Sequence, residues 1–254
     1  MPVIPATATI ITFNEALNIA ACIRSVAFFA EVLVIDSGST DDTVALAQAA
    51  GAQVIRNPWP GFGLQKQFAV DQARYDWVFS IDADERVSAE LQAAIVRLFA
   101  DVPGAAGYLV NRCNHFMGRP LRHGEGYPDW CLRLFHRHSG RWSADVVHEK
   151  VLLQADPKRI TGDLDHFSEA SLAGYLDKQN SYTTLQAAEL FARGKDAGVA
   201  KLALSPLVRF VKFYFFRLGF LDGVPGLVHI LIGCFNSFSK YAKLRELYIK
   251  AGRH

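Results

Sequence analysis

A short apolar run, Val78-Phe79-Ser80-Ile81, stops at two carboxylates, Asp82 and Asp84, set two residues apart. A run of that length without polar alternation reads as a strand buried on both faces, the mark of a parallel sheet covered by helices. The carboxylates then lie at the C-terminal end of the strand, the edge of an open α/β sheet where ligands bind. Taken alone, an Asp-x-Asp is a common accident, and a strand end followed by a helix cap accounts for it. The neighbouring segments decide between the two readings.

Residues 1–100 alternate strand and helix. Strands are predicted over Ala6 to Phe13, Glu31 to Ile35 (ending at Asp36), Gln53 to Ile55 and Trp77 to Ile81. Helices are predicted over Glu15 to Ser25 with Asn14 as a cap, Thr43 to Ala50 after a turn from Ser37 to Asp42, and Gln65 to Ala73 after a Pro- and Gly-marked loop. Such alternation implies parallel strands with right-handed crossovers. From 105 to 152 the pattern changes: strands over Tyr108 to Arg112, Cys131 to His136 and Val146 to Leu152 are separated by Gly-rich and aromatic loops, as in a mixed extension of the sheet. Residues 168–198 read as a polar helix. Two apolar stretches follow, Leu202 to Leu221 and Gly223 to Ser239. The first is interrupted by Pro206, Arg209, Lys212 and Arg217; the second is shorter than the about 20 residues a membrane span requires. An interfacial or re-entrant helical pair is expected, and packing on protein is the bland alternative. The chain thus divides into 1–167, a sheet-based domain, and 168–254, a helical region.

Charge separates along the same boundary. From Val199 onward nine basic residues face two acidic ones, so the tail carries +7 and residues 1–198 carry −5 of a net +2. An apolar, basic tail behind an acidic body suits an anionic membrane surface. Nucleic acid is disfavoured, because the tail's aromatics lie among aliphatic runs and not in a polar groove. The four cysteines, Cys22, Cys113, Cys131 and Cys234, have no paired or metal-type spacing, so free thiols are expected. The N-terminus has no secretory-signal pattern. The expected location is therefore cytoplasmic, peripheral on the inner face of the membrane.

Three acidic signals follow predicted strands in order: Asn14-Glu15, Asp36 within Asp36-Ser37-Gly38-Ser39-Thr40-Asp41, and Asp82-Ala83-Asp84. Together they resemble the inverting family 2 glycosyltransferases of the GT-A fold, over about residues 6–100. Trp59 to Lys66, Arg133-Leu134-Phe135, Val147-His148-Glu149 and Gly219 to Gly223 look, more loosely, like the bacterial lipopolysaccharide core glucosyltransferases of the WaaE/KdtX type. The resemblance implies an α/β, Rossmann-like, mostly parallel sheet with a C-terminal membrane-associating appendage. It implies an enzyme that moves a hexose, most simply glucose, from a UDP-sugar to a hydroxyl of a membrane glycolipid such as the lipopolysaccharide inner core. Anionic lipid of the inner leaflet is an expected partner.

Roles follow from what a nucleotide sugar requires. Asp36 at a strand tip accepts a hydrogen bond from the uracil N3–H, unless it only caps its own turn. Asn14 and Glu15 border that pocket. Lys66 neutralises phosphate, or is a solvated lysine. By the resemblance, Asp84 is a metal ligand, Asp82 supports ribose, sugar or metal, and His166 is a further candidate ligand beside His148. Mg²⁺ or Mn²⁺ is the implied cation, bridging two phosphates as a Lewis acid. Inversion needs a general base across the sugar from the leaving group. Glu149 is preferred over Asp129, and a salt bridge to Arg133 or Arg141 explains either acid structurally. His115, His123, His136 and His138 are expected to line an acceptor groove with Arg112, Arg119 and Arg122, or to lie on a solvated face. Rival readings are a transferase acting on polyprenyl phosphate, capsule or peptide, a non-catalytic nucleotide-sugar-binding scaffold, and a sugar nucleotidyltransferase. The last is disfavoured because the Gly-rich basic signature is missing.

Overall fold

The computed structural model describes residues 3–145, 149–167, 171–195 and 198–252. In chain order its elements are β1 (Ile4–Thr12), α1 (Ile19–Ser25), β2 (Phe29–Asp36), α2 (Thr43–Ala49), β3 (Gln53–Arg56), α3 (Phe62–Gln72) and β4 (Trp77–Asp82). There follow β5 (Glu85–Val87), α4 (Ala89–Ala100), β6 (Gly107–Phe116), β7 (Arg119–Pro120), β8 (Asp129–His136), β9 (Gly140–Trp142), β10 (Val151–Leu153) and β11 (Lys158–His166). The last helices are α5 (Leu172–Ala192), α6 (Val199–Phe210) and α7 (Gly223–Lys250). A π-helical turn, Val211–Phe216, continues α6, and a 3-10 turn, Gly219–Asp222, leads into α7.

The chain forms two compact units. One is Met1–Cys113 with Asp129–His166, the other Asn114–Pro128 with Phe167–His254. The excursion Asn114–Pro128, placed in the first domain by the sequence reading, therefore packs with the C-terminal helices.

In the first unit the sheet order is β3-β2-β1-β4-β8-β6-β11-β5. The strands β1 to β4 run parallel, as their alternation with helices requires, while β8 is antiparallel to both β4 and β6. β1 lies at the centre of the parallel half, and all but one of its residues are buried. Below the sheet Ile10, Val34, Phe79 and Ile81 pack on Ile19, Ile23, Leu91 and Ile95 of α1 and α4. On the other face Ile11, Leu33 and Ile35 pack on Ala69 of α3. Each large side chain buried in this way contributes about 1.5–3 kcal/mol.

Two strands of this unit escape the periodicity argument. β5 is three residues long and begins with two charges, so it has no apolar run. β11 buries Ile160 and Leu164, four residues apart, and exposes or half-exposes the rest. Neither pattern alternates in the way a half-buried strand does. α4, capped by the Ser88 hydroxyl accepting from the Leu91 amide, follows directly. The strand expected over Val146 to Leu152 is found as Val151–Leu153; its positions 146–148 lie outside the described residues. α1 starts at Ile19 and not at Glu15, with Asn18 in the cap position, so Asn14 is not its N-cap.

In the second unit β7 folds back on the end of β6, pairing His115 with Pro120 and Phe116 with Arg119. α5 and α7 pack through Ala187 and Leu244, with Leu190, Phe191, Tyr241, Leu247 and Tyr248 around them. Ser171 caps α5 by accepting from the Gly174 amide. The Asp222 carboxylate is buried and accepts from the amides of Arg122 and His123 at 3.2 and 2.8 Å, while His123 Nδ1 lies 2.9 Å from Oδ1. Asp222 thus ties the excursion to the start of α7. The second apolar stretch is longer than the sequence reading allows. α7 runs 28 residues because its polar end remains amphipathic, with Leu244 and Leu247 turned onto α5. Among the described residues one helical segment, Gly219–Lys250, is long and apolar enough to cross a membrane by length and composition.

Candidate active site

Register brings the acidic signals to one edge. Thr12 of β1 pairs with Asp36, and Ile11 pairs with Asp82, so the two aspartates flank the end of the central strand. Two strand spacings separate them, about 10 Å. Pleating then directs them apart: Asp82 shares the α3 face with Ile11, whereas Asp36 follows Val34 onto the α1–α2 face.

On the α3 face lies a chain of alternating charge. Lys66 of α3 is buried, and its Nζ is 3.0 Å from Glu149 Oε1 and 3.2 Å from Asp82 Oδ1. It also lies 4.8 Å from the Trp142 ring centroid. Arg133 of β8 is buried too, with Nη2 donating to Asp82 Oδ2 at 3.2 Å and to Glu85 Oε1 at 2.5 Å. Glu85 Oε2 in turn accepts from the Asp82 amide at 3.0 Å and closes the turn that carries Asp84. The order is Glu149, Lys66, Asp82, Arg133, Glu85. Burial pushes the Asp82 carboxyl up, but Lys66 and Arg133 outweigh it and hold the group far below the usual carboxylate range. Burial raises the Glu85 carboxyl, against the pull of Arg133. Burial disfavours the Arg133 cation, but Glu85 and Asp82 reverse this and raise its pKa.

Gly63 permits this arrangement. A Cβ there would come 2.0 Å from the Ser143 carbonyl oxygen and 3.4 Å from Glu149 Cβ. Only a residue without a side chain lets α3 approach the segment that carries Glu149.

Asp84 follows Asp82 in the turn, and its Oδ2 lies 3.4 Å from His166 Nε2. The antiparallel pairing of β11 with β5 puts His166 opposite Glu85, which explains the meeting across more than 80 residues. Two ligand atoms on one edge of an octahedral Mg²⁺ shell are separated by about 3 Å, so Asp84 and His166 suit a cation of that size. Asp82 is already engaged by two protein cations. His148 lies outside the described residues.

The Asp36 region is a stitched pair of loops. The Asp36 carboxylate is buried and accepts from the amides of Gly38 (2.9 Å) and Ser39 (3.1 Å), so it does cap its own turn. Asn14 sits at φ 55°; its amide donates to Ser39 Oγ at 2.9 Å and its Oδ1 accepts from the Thr40 amide at 2.8 Å. The Glu15 amide donates to Thr43 Oγ1, and Glu15 Oε2 accepts from Asn18. Gln65, fully buried on α3, donates to Ser37 Oγ and exchanges a hydrogen bond with Asn57. Three loop starts are thereby held in one frame.

Asp129 begins β8, opposite Arg112 of β6, whose Nε and Nη2 lie 2.9 and 2.7 Å from its Oδ2. The salt bridges expected for the two base candidates exist with other partners: Lys66 for Glu149, and Arg112 for Asp129. His136 pairs with Trp77 at the start of β4, with His138 beside Asp76, and within the second unit Asp222 holds His123. Sequence reasoning passed over Glu85. Its only signal is a third acid directly after Asp82-Ala83-Asp84, on an apolar side of the turn.

The glycosyl transferase family 2 model matches residues 7–150, which includes Asp36, Lys66, Asp82, Asp84, Asp129, Arg133 and Glu149. An uncharacterised glycosyltransferase of Rickettsia typhi is 35% identical over 95% of this chain and 87% of its own. The lipopolysaccharide core biosynthesis glycosyltransferase LpsC of Rhizobium meliloti is 33% identical over 100% of this chain and 96% of its own. Among solved structures, glucosyl-3-phosphoglycerate synthase of Mycobacterium tuberculosis in complex with Mg²⁺ and UDP aligns at 19% identity and a TM-score of 0.48, over 76% of this chain and 80% of that one. The family model covers more than half of the chain, and the relatives align nearly end to end: this chain is a glycosyltransferase of family 2.

Proposed function

We propose that the enzyme transfers a hexose, glucose, from a UDP-sugar to a hydroxyl of a membrane glycolipid in the lipopolysaccharide core, with inversion, at the inner face of the membrane. The observation that carries the reading is the convergence of Asp82, Asp84, His166, Lys66, Arg133 and Glu149 at the C-terminal edge of the sheet. The likeness to LpsC along the whole chain supports the acceptor class. The excess positive charge and the exposed apolar residues of α6 and α7 support the location.

In this reading the stitched loops around Asn14, Glu15 and Asp36 form the uridine pocket. The buried Asp36 makes the turn of that pocket rigid by accepting from the Gly38 and Ser39 amides. Asp84 and His166 hold the divalent cation, with Asp82 directed to ribose and sugar. When bound, Mg²⁺ or Mn²⁺ supplies Lewis-acid charge to the departing diphosphate. Glu149 takes the acceptor proton, and Lys66, 3.0 Å from it and 3.2 Å from Asp82, orients it. Asp129, tied to Arg112 through one oxygen, is the second base candidate.

The test is transfer from a panel of UDP-sugars to glycolipid extracted from a strain lacking the enzyme. UDP-glucose is expected to be the best donor, and Asp84→Ala and His166→Ala are expected to lose at least about a hundredfold in rate with the fold intact. Full activity of Asp84→Ala in chelator would remove the metal role. An active Glu149→Ala, Asp129→Ala double variant would favour a phosphate acceptor, which needs no general base. No turnover of any nucleotide sugar would sink the reading.

A further inference from the structure

The second unit contains a groove of about 530 Å³ between α6 and α7. Its lining includes Lys201, Arg209 and Lys212, the hydroxyls of Ser205 and Ser237, and the ring of Phe213. The site is built and not merely basic. Arg209 is oriented from behind by Glu125, whose Oε2 accepts from its Nε at 3.0 Å. Gly233 of α7 makes room for that pair, since a Cβ there would lie 2.6 Å from Glu125 Oε2 and 2.9 Å from Arg209 Nε. The two serine oxygens are 2.9 Å apart, so one hydroxyl donates to the other and the second hydrogen can turn to a ligand. Lys212 Nζ lies 5.1 Å from the Phe213 ring centroid.

We propose that this groove binds the phosphate headgroup of an anionic phospholipid in the leaflet where the enzyme works, an inference that rests on the membrane reading above. Charge complementarity selects the phosphate. The apolar lining selects a lipid over a soluble anion: Leu204 and Val208 on α6 are 56% and 64% exposed. Acyl chains cover such a lining, whereas a free phosphate leaves it in water.

The experiment is flotation of the full chain with vesicles of phosphatidylcholine alone, or with one third phosphatidylglycerol, for the wild type and a Lys201→Gln, Lys212→Gln variant. The wild type is expected to prefer the anionic vesicles. The variant is expected to lose about 30-fold of that affinity, two lysines' worth, and to keep its binding to phosphatidylcholine. An unchanged preference in the variant overturns the proposal. A second measurement separates the groove from the membrane reading: thermal shift with dihexanoylphosphatidylglycerol below its micelle concentration. If the wild type binds no vesicle yet melts higher with this lipid, and the variant does not, the groove stands and the membrane reading falls. No shift in either protein overturns the groove. An equal shift with inorganic phosphate overturns the lipid assignment, and a wild-type dimer in sedimentation that the variant dissolves assigns the groove to a second copy instead.

Discussion

Lys66 and Arg133 show how far single residues shape this site. Both are buried cations on opposite sides of Asp82, and each also holds a second acid. Removing one partner of a buried pair costs more than the pair contributes, because a charge is left without compensation. Arg133→Met is therefore expected to destabilise the fold by about 3–5 kcal/mol, and a Glu85→Gln, Arg133→Met double variant by clearly less, read from urea midpoints. Asp82 makes a pH prediction. Its folded pKa is depressed by Lys66 and Arg133 despite burial, so the folded protein binds fewer protons than the unfolded chain below the ordinary carboxylate pKa of about 3.9. The stabilisation is present above that value and is lost on acidification. The stability gap between the wild type and Asp82→Asn should be constant from pH 7 to about pH 5 and shrink below about pH 4. A gap that does not change with pH would mean the pairing is not formed. At this scale Asp82 and Asp84 were legible because they end an apolar run. Glu85 was not, because its burial depends on Arg133, which lies 48 residues away.

At the level of elements, the approach of α3 to the segment bearing Glu149 depends on Gly63. Its clash partner is a backbone oxygen, which cannot rotate aside. Gly63→Ala should cost about 1–3 kcal/mol in stability and also slow transfer, since shifting the start of α3 moves Lys66 away from Glu149. A variant with unchanged stability and rate would show that the contact is soft. The strands β1, β2 and β4 were legible because each is an apolar run with a buried C-terminal half, and β3 because Val54-Ile55 follows a helix and precedes a Pro-marked loop. β5 and β11 were not: β5 is a three-residue edge strand, and β11 beside it buries only Ile160 and Leu164, so neither shows the alternation that marks a half-buried strand. Asn14 is a related case. Its type suits an N-cap, yet its carboxamide is used across the loops by Thr40, and the helix begins five residues later.

For the whole molecule, the exposed apolar residues are concentrated in the second unit. Phe216 is 80% exposed and Phe235 62%. A Phe216→Ser, Phe235→Ser variant should move the protein from the membrane to the soluble fraction of a cell lysate while turnover of a nucleotide sugar with a water-soluble acceptor is kept. Persistent membrane association in that variant, even at high salt where surface charge is screened, would place the attachment elsewhere. The division of the chain was partly legible. The shift from alternating elements to long helices marks the start of the helical region, but the Gly-rich composition of Asn114–Pro128 marks only a loop and not the helices it packs with. That loop joins the helices through Asp222 and Arg209, contacts made across some 80 to 100 residues.

The order and chemistry of the acidic motifs, the parallel half of the sheet and the charge asymmetry were determined by the sequence itself, because each is local: a short run, a turn or a count of charges. Which acid meets which cation was decided only by the tertiary structure. Strand register brings Arg133 to Asp82 and His166 to Asp84, and a bare glycine brings Glu149 to Lys66. Such pairings depend on packing between distant segments, and burial, which makes an unpaired charge costly, exists only once those segments have met.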